Sequence, residues 1–281
     1  VRAARRLRGV YWGHDGRHAA STLSGRAKPG AVLLGAVLGL MPFGTATAAP
    51  LDVDLELMLA VDVSNSMDDA EHRLQRAGYV AAIGHADVWA AIETGGRQRV
   101  AMTYIEWAGP DKQATVVPWR LIDSAAAARS FAADLATPEI FFTRGTGTSI
   151  SDALVYAAAL LQENDFDGLR RVIDISGDGP NNRGAPVEPA RDAVVAQGIT
   201  INGLPLMVSP SRTFRTIDLY YRDCVIGGPG AFVLPVSTAD QLAVAIRRKL
   251  VLEIAGVAPR LVPVAGHART DCRVGDPPEK S

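Results

Sequence analysis

From residue 50 onward the chain alternates between two hydrophobic periods. Largely apolar runs at Val53–Val61, Val100–Trp107, Ala114–Leu121, Arg171–Ser176, Ile199–Leu206 and Ala231–Val236 read as strands. Several lack any polar alternation, the pattern of strands covered on both faces. Between them lie helical stripes. Ile150, Ala153, Leu154, Ala157, Ala158 and Leu161 share one face of a helix that Ser149 and Asp152 begin with a capping-box spacing. Pro186–Gln197 starts on proline and stops at Gly198, and Ser237–Ala255 stops at Gly256. The alternation predicts a doubly wound α/β fold over residues 51–256: a mostly parallel, six-stranded sheet with helices on both faces. One pair departs from it. Val100–Trp107 and Ala114–Leu121 are joined by AGPDKQ, too short for a crossover helix, so the second should be an antiparallel edge strand.

The first 48 residues follow a different pattern. An Arg-rich stretch without apolar period (1–24) precedes Arg26 and Lys28, an apolar run from Ala31 to Phe43, and the small-residue segment TATAAP. That order is the one of a secretory signal peptide cleaved after Ala48, too short in its apolar part for a comfortable membrane span. The expected product is periplasmic or secreted, monomeric, with a Pro- and charge-rich tail over 257–281. Charge adds one exclusion: 29 Lys and Arg against 30 Asp and Glu leave no basic footprint for nucleic acid. Cys224 and Cys272 are the only cysteines. In an exported chain they are a candidate disulfide, with two separate thiols as the alternative.

The candidate chemistry starts at LMLAVDVSNSMDD. A strand that leads out of a core ends on Asp62, and Ser64 and Ser66 follow at alternate positions. In open parallel sheets ligands bind beyond the carboxyl ends of strands. A carboxylate and two hydroxyls are half of the six-oxygen shell that a hard cation such as Mg²⁺ requires. Other strand ends and helix starts offer more oxygens: Thr146, Thr148 and Ser149 in RGTGTSISDAL, and Asp178 in ISGDGPNN. Ser66 and Thr148 both stand at expected helix starts, where exposed N–H groups disfavour a cation. An ion held there by two carboxylates and uncharged hydroxyls is electron-poor, and a carboxylate from another molecule is its natural last ligand.

These three motifs, in this order on this fold, resemble the metal-ion-dependent adhesion site of von Willebrand factor A domains over residues 51–256. The resemblance implies that Asp62, Ser64, Ser66 and Thr148 surround a divalent ion, Mg²⁺ or Mn²⁺, and that Asp178 holds it, often through water. It favours Thr148 over Thr146, and it implies a protein partner that supplies a Glu or Asp. Here Gly177 precedes Asp178, where the family usually has threonine. The strings YYRDCVIGGPGAFV and AIRRKLVLEIAG resemble, more narrowly, an exported bacterial group called domain of unknown function 1194.

Simpler readings compete residue by residue. Ser66 with Asp69 fits a capping box, Asp178 and the following Asn181 and Asn182 fit a turn, and His72, His85 and His267 read as solvent-exposed. The expected function is a non-enzymatic, metal-bridged binding module. Its rivals are a phosphoryl-transfer or hydrolytic enzyme using Asp62, and a scaffold with a vestigial site.

Overall fold

A computed structural model describes residues 49–137, 139, 147–208, 216–259 and 268–275. The leader, Thr146 and His267 lie outside the described residues. The strands are β1 (Leu51–Val53), β2 (Leu55–Asp62), β3 (Val100–Trp107), β4 (Gln113–Ile122), β5 (Phe166–Gly168), β6 (Arg171–Gly177) and β7 (Ile199–Pro205). The helices are α1 (Asp69–Ile83), α2 (Ala86–Glu93), α3 (Ala125–Ala136), α4 (Ile150–Gln162), α5 (Val187–Val195), α6 (Ile217–Tyr220) and α7 (Leu242–Ala255). A π-helical turn, Tyr221–Val225, continues α6. Among the described residues no helix is long and apolar enough to cross a membrane.

The main sheet has the order β4-β3-β2-β6-β7 and is parallel except for β3–β4. Every residue of β2 is buried. Leu55, Leu57, Leu59 and Val61 face the layer that carries Tyr79 and Ile83 of α1, Phe131 of α3 and Leu250 of α7. The intervening Met58 and Ala60 meet Leu154 of α4 and Val194 of α5 on the opposite face. Two-sided burial, at about 1.5–3 kcal/mol for each large aliphatic side chain, is why this run shows no polar alternation. The antiparallel edge is β4. The AGPDKQ link closes with Ala108 N–H on the Lys112 carbonyl, and the β3–β4 register slips where Pro118 cannot donate.

Three features differ from the sequence pattern. The main sheet has five strands, because the Ala231–Val236 run joins β7 only through isolated bridges at Val233 and Val236. Gly203 N–H donates to the Phe232 carbonyl and Leu234 N–H to that of Gly203, but Pro205 has no N–H to continue the ladder. The first strand is divided at Asp54, whose carboxylate turns away to accept the Arg97 N–H at 2.9 Å; β1 then pairs with β5 as a separate two-stranded sheet. At the start of α1, Asp68 rather than Ser66 is the cap. Its side chain accepts from the Ala70 and Glu71 N–H groups while Glu71 reaches back to the Asp68 N–H.

Helix α7 is tied to the sheet by buried charge. Lys249 Nζ lies 2.5 Å from Asp174 Oδ1 on β6 and 2.5 Å from Glu253 Oε1 one turn on; Asn202 of β7 donates to the same Glu253 oxygen. One ammonium faces two carboxylates, so removing Lys249 would leave buried acids without a counter-charge. Burial first, and the Asp174 charge second, push the Glu253 carboxyl up from 4.5 to about 8, against a downward pull from Lys249. The folded chain thus retains a proton that the unfolded chain releases above its ordinary carboxyl range. This contribution to stability is complete below about pH 4.5 and is lost as pH rises through about 8. Glu253→Gln, which still accepts from Asn202 and does not ionise, is expected to flatten the fall in melting temperature from about pH 5 to 9 relative to wild type. Parallel melting curves for the two proteins would contradict this.

Candidate metal centre

Asp62 closes β2 in the middle of the sheet, between β3 and β6. The chain leaves β2 towards β3 and later returns on the other side as β6, so Asp62 and the residues after Gly177 flank the crevice where strand order reverses. Val63 N–H still reaches the Trp107 carbonyl. Beyond it the backbone curls, with the Ser64 N–H donated to Asp62 Oδ1 at 2.7 Å. This Asx-type turn directs both serine hydroxyls to one point.

Five residues anticipated from sequence converge there. Ser64 Oγ lies 2.9 Å from Ser66 Oγ and 3.1 Å from Thr148 Oγ1, and Ser66 Oγ donates to Asp178 Oδ1. Asp62, Ser64, Thr148 and Asp178 are buried, whereas Ser66 and the neighbouring Asn65 are exposed. The cluster therefore has a dry floor and one lip open to solvent. With Asp68 capping α1, the Ser66 hydroxyl is free to turn inward.

Thr148 is fixed from two sides. Its N–H donates to Asn182 Oδ1 at 2.9 Å, and its carbonyl accepts the Asn182 and Arg183 N–H groups. Next to it, Ser149 N–H reaches the Ala108 carbonyl after β3, and the Ser149 hydroxyl caps α4 by accepting from Asp152. The loop that carries Asp178 thus also holds Thr148. From sequence Asn181 and Asn182 could shape the rim of the site but fit an ordinary turn better; the structure makes Asn182 the residue that holds Thr148.

His72 is a second difference. It is buried rather than exposed, and its Nε2 lies 3.1 Å from the Ser64 carbonyl. It shares the inward face of α1 with Gln75, Arg76 and Tyr79, at three, four and seven residues' distance. That helical spacing in polar residues was legible but has no hydrophobic signature. His85 is half-buried and caps α2 by accepting the Asp87 N–H. Tyr220 and Tyr221 are buried packing residues, and Cys224 is bonded to Cys272.

The electrostatics are those of two acids without a counter-charge among the described residues. Burial, reinforced by the Asp178 charge, pushes the Asp62 carboxyl up to about 8, although the Ser64 N–H and hydroxyl pull it down. Burial raises Asp178 to about 6 against the hydrogen bond from Ser66, with the Glu71 charge adding to the rise. Asp62 Oδ2 and the Tyr221 hydroxyl are buried with no hydrogen-bond partner among the described residues. A hard divalent cation fits this donor set: two carboxylates, three uncharged hydroxyls, oxygen throughout. Among the described residues no group of three or more His, Cys, Asp and Glu offers a carboxylate- or imidazole-rich alternative.

Comparison with known proteins extends the picture. No curated protein matches the chain in sequence. Among solved structures, the pilus adhesin SpaC from Lactobacillus rhamnosus GG in its open conformation superposes with a TM-score of 0.52 at 13% identity. That match covers 74% of this chain and 30% of the adhesin, so the chain spans under a third of that protein's length. Proximal thread matrix protein 1 from the mussel byssus, with a zinc-occupied MIDAS motif, gives 0.46 at 18% identity, covering 74% of this chain and 49% of that one. A von Willebrand factor type A protein from Catenulispora acidiphila gives 0.45 at 15%, covering 72% and 43%. The SpaC likeness is one of fold, and the expected doubly wound α/β architecture, mostly parallel with one antiparallel edge strand, holds. A family's sequence profile matches residues 52–258, nearly the whole described domain: the chain belongs to the family described as Protein of unknown function (DUF1194).

Proposed function

We propose that the domain is a non-enzymatic binding module that works outside the cytoplasm as a monomer. Asp62, Ser64, Ser66, Thr148 and Asp178 hold a divalent cation, Mg²⁺ or Mn²⁺, and a Glu or Asp of a protein partner completes its shell. The observation that carries this reading is Asp62 Oδ2, a buried carboxylate oxygen with no hydrogen-bond partner among the described residues, beneath a cluster of hydroxyls whose lip is exposed. Uncharged hydroxyls leave the ion with unspent positive charge, which favours an anionic last ligand. The Cys224–Cys272 disulfide supports an oxidising compartment. Against phosphoryl transfer stands the burial of Asp62, whose carboxylate offers no open approach to a phosphorus centre. Ser64 also occupies the position where a second acid would serve that chemistry.

Mg²⁺ added to chelator-treated protein is expected to raise the melting temperature by roughly 5–10 °C at a hundredfold excess over its dissociation constant. The same addition should leave Asp62→Ala unmoved, and capture of a partner from an exported-protein fraction should require the ion. An unshifted wild type, or an equal shift in Asp62→Ala, would sink the metal reading.

Gly177 gives an independent probe. A Cβ there would stand 2.8 Å from Asp62 Oδ2 and 2.7 Å from the Tyr221 hydroxyl, both inside contact distance. Gly177→Ala is expected to cost about 1–3 kcal/mol of stability by overpacking and to abolish the Mg²⁺ response by displacing Asp62. Retention of the full response would show that Asp62 need not stay where the structure has it.

A further inference from the structure

The segment 268–275 lies beyond residues 260–267, which are outside the described residues, yet it returns to the domain at one defined place. Cys272 is bonded to Cys224 in the π-helical turn. Thr270 N–H donates to Asp223 Oδ2 at 2.8 Å, and the Arg269 guanidinium meets Glu188 on α5. From there two contacts reach the loop that carries Asp178. The Tyr220 hydroxyl accepts the Asn181 N–H at 3.2 Å and donates to the Cys272 carbonyl at 3.4 Å. A Cβ at Gly275 would fall 2.2 Å from the Asn181 carbonyl oxygen and 3.1 Å from Pro180 Cβ, so backbone lies against backbone there.

Asn181 is the relay. Its amide oxygen accepts the Ser151 N–H at the start of α4, and its amide nitrogen donates to the Ala185 carbonyl. The adjacent Asn182 holds Thr148. Asn181, Tyr220 and Cys272 are buried, so the polar groups in this chain of contacts cannot turn to water for compensation. The segment itself contributes little regular structure. Its internal backbone bond is Val274 N–H to the Asp271 carbonyl, and its attachment depends on the disulfide together with the Thr270 and Arg269 contacts.

We infer that residues 268–275, stapled by Cys224–Cys272, brace the Pro180–Asn182 turn through Tyr220 and so position Asp178 and Thr148 in the candidate metal centre. Tyr220 and Cys272 are positioning residues in this arrangement, acting through Asn181. The role of the centre rests on the metal reading above; the brace is a statement about the loop and is measurable without an ion. The disulfide thereby does more than restrict the unfolded chain: it makes the geometry of the site depend on an oxidised cysteine pair.

The test uses Tyr220→Phe, which keeps the ring and removes the bridging hydroxyl, and Cys224→Ser/Cys272→Ser, which releases the segment. Amide hydrogen exchange in metal-free protein is the first readout. Exchange at Asn181 and Thr148 is expected to accelerate at least tenfold in both variants while Leu57 and Leu59 in β2 keep wild-type protection. Mg²⁺ affinity is the second, expected to weaken about tenfold, as for other residues that orient ligands without touching the ion. Combining the three substitutions should weaken it no further than the cysteine pair alone, because both act along one path. Wild-type exchange at Asn181 and Thr148 in Tyr220→Phe would overturn the brace, as would acceleration throughout β2, which marks general loosening. If wild type itself binds no Mg²⁺, the metal reading falls and the exchange data still decide the brace.

Discussion

Asp62 carries a carboxylate to the end of a fully buried strand, with β3 on one side, β6 on the other and helices over both faces. Desolvating a charge costs several kcal/mol, so the surroundings must supply either a proton or a positive charge. Much of the local architecture follows from that constraint. The Ser64 N–H covers one oxygen, Ser64 and Ser66 curl over the strand end, and the second acid arrives from β6 across the crevice. Gly177 is there because no side chain fits between Asp62 and Tyr221.

The same layer of the protein contains a useful contrast. Asp174 and Asp178 are four residues apart along β6 and its exit, and both are buried. The first faces an internal cation, Lys249, with Glu253 sharing it. The second shares its surroundings with another acid and hydroxyls. A domain that neutralises one buried aspartate with its own lysine leaves the neighbouring pair, among the described residues, to hydroxyls and backbone N–H groups. The difference between the middle of β6 and its exit is a difference between a charge set that is structural and one suited to a cation from solution.

The part of this that was readable in sequence is the part encoded over short spans. Asp62, Ser64 and Ser66 share one segment, Asp178 follows an apolar run, and Thr148 precedes a clear helical stripe, so strand ends and helix starts located all five. The misread details turn on competition that spacing alone does not resolve. Ser66–Asp69 and Asp68–Glu71 both fit a capping box, and the second prevails because Asp178 draws the Ser66 hydroxyl inward. His72 and Asn182 act through hydrogen bonds to backbone groups outside their own elements, which leaves no hydrophobic signature. The sixth strand failed for one missing N–H, at Pro205, in a neighbouring element rather than its own.

That missing N–H has a consequence at the rim of the sheet. An open parallel sheet normally presents a row of unsatisfied backbone groups at its edge, a template for pairing with another chain. Here the segment from Phe232 to Val236 lies over the outer side of β7, bonded to it at alternate residues, and Pro235 points its N–H-less nitrogen away from that ladder. At the opposite rim β4 carries Pro118 and a register slip. Both borders are thus poor hosts for an added strand, and contact between copies of this domain by sheet extension is discouraged by the same prolines that shorten its ladders.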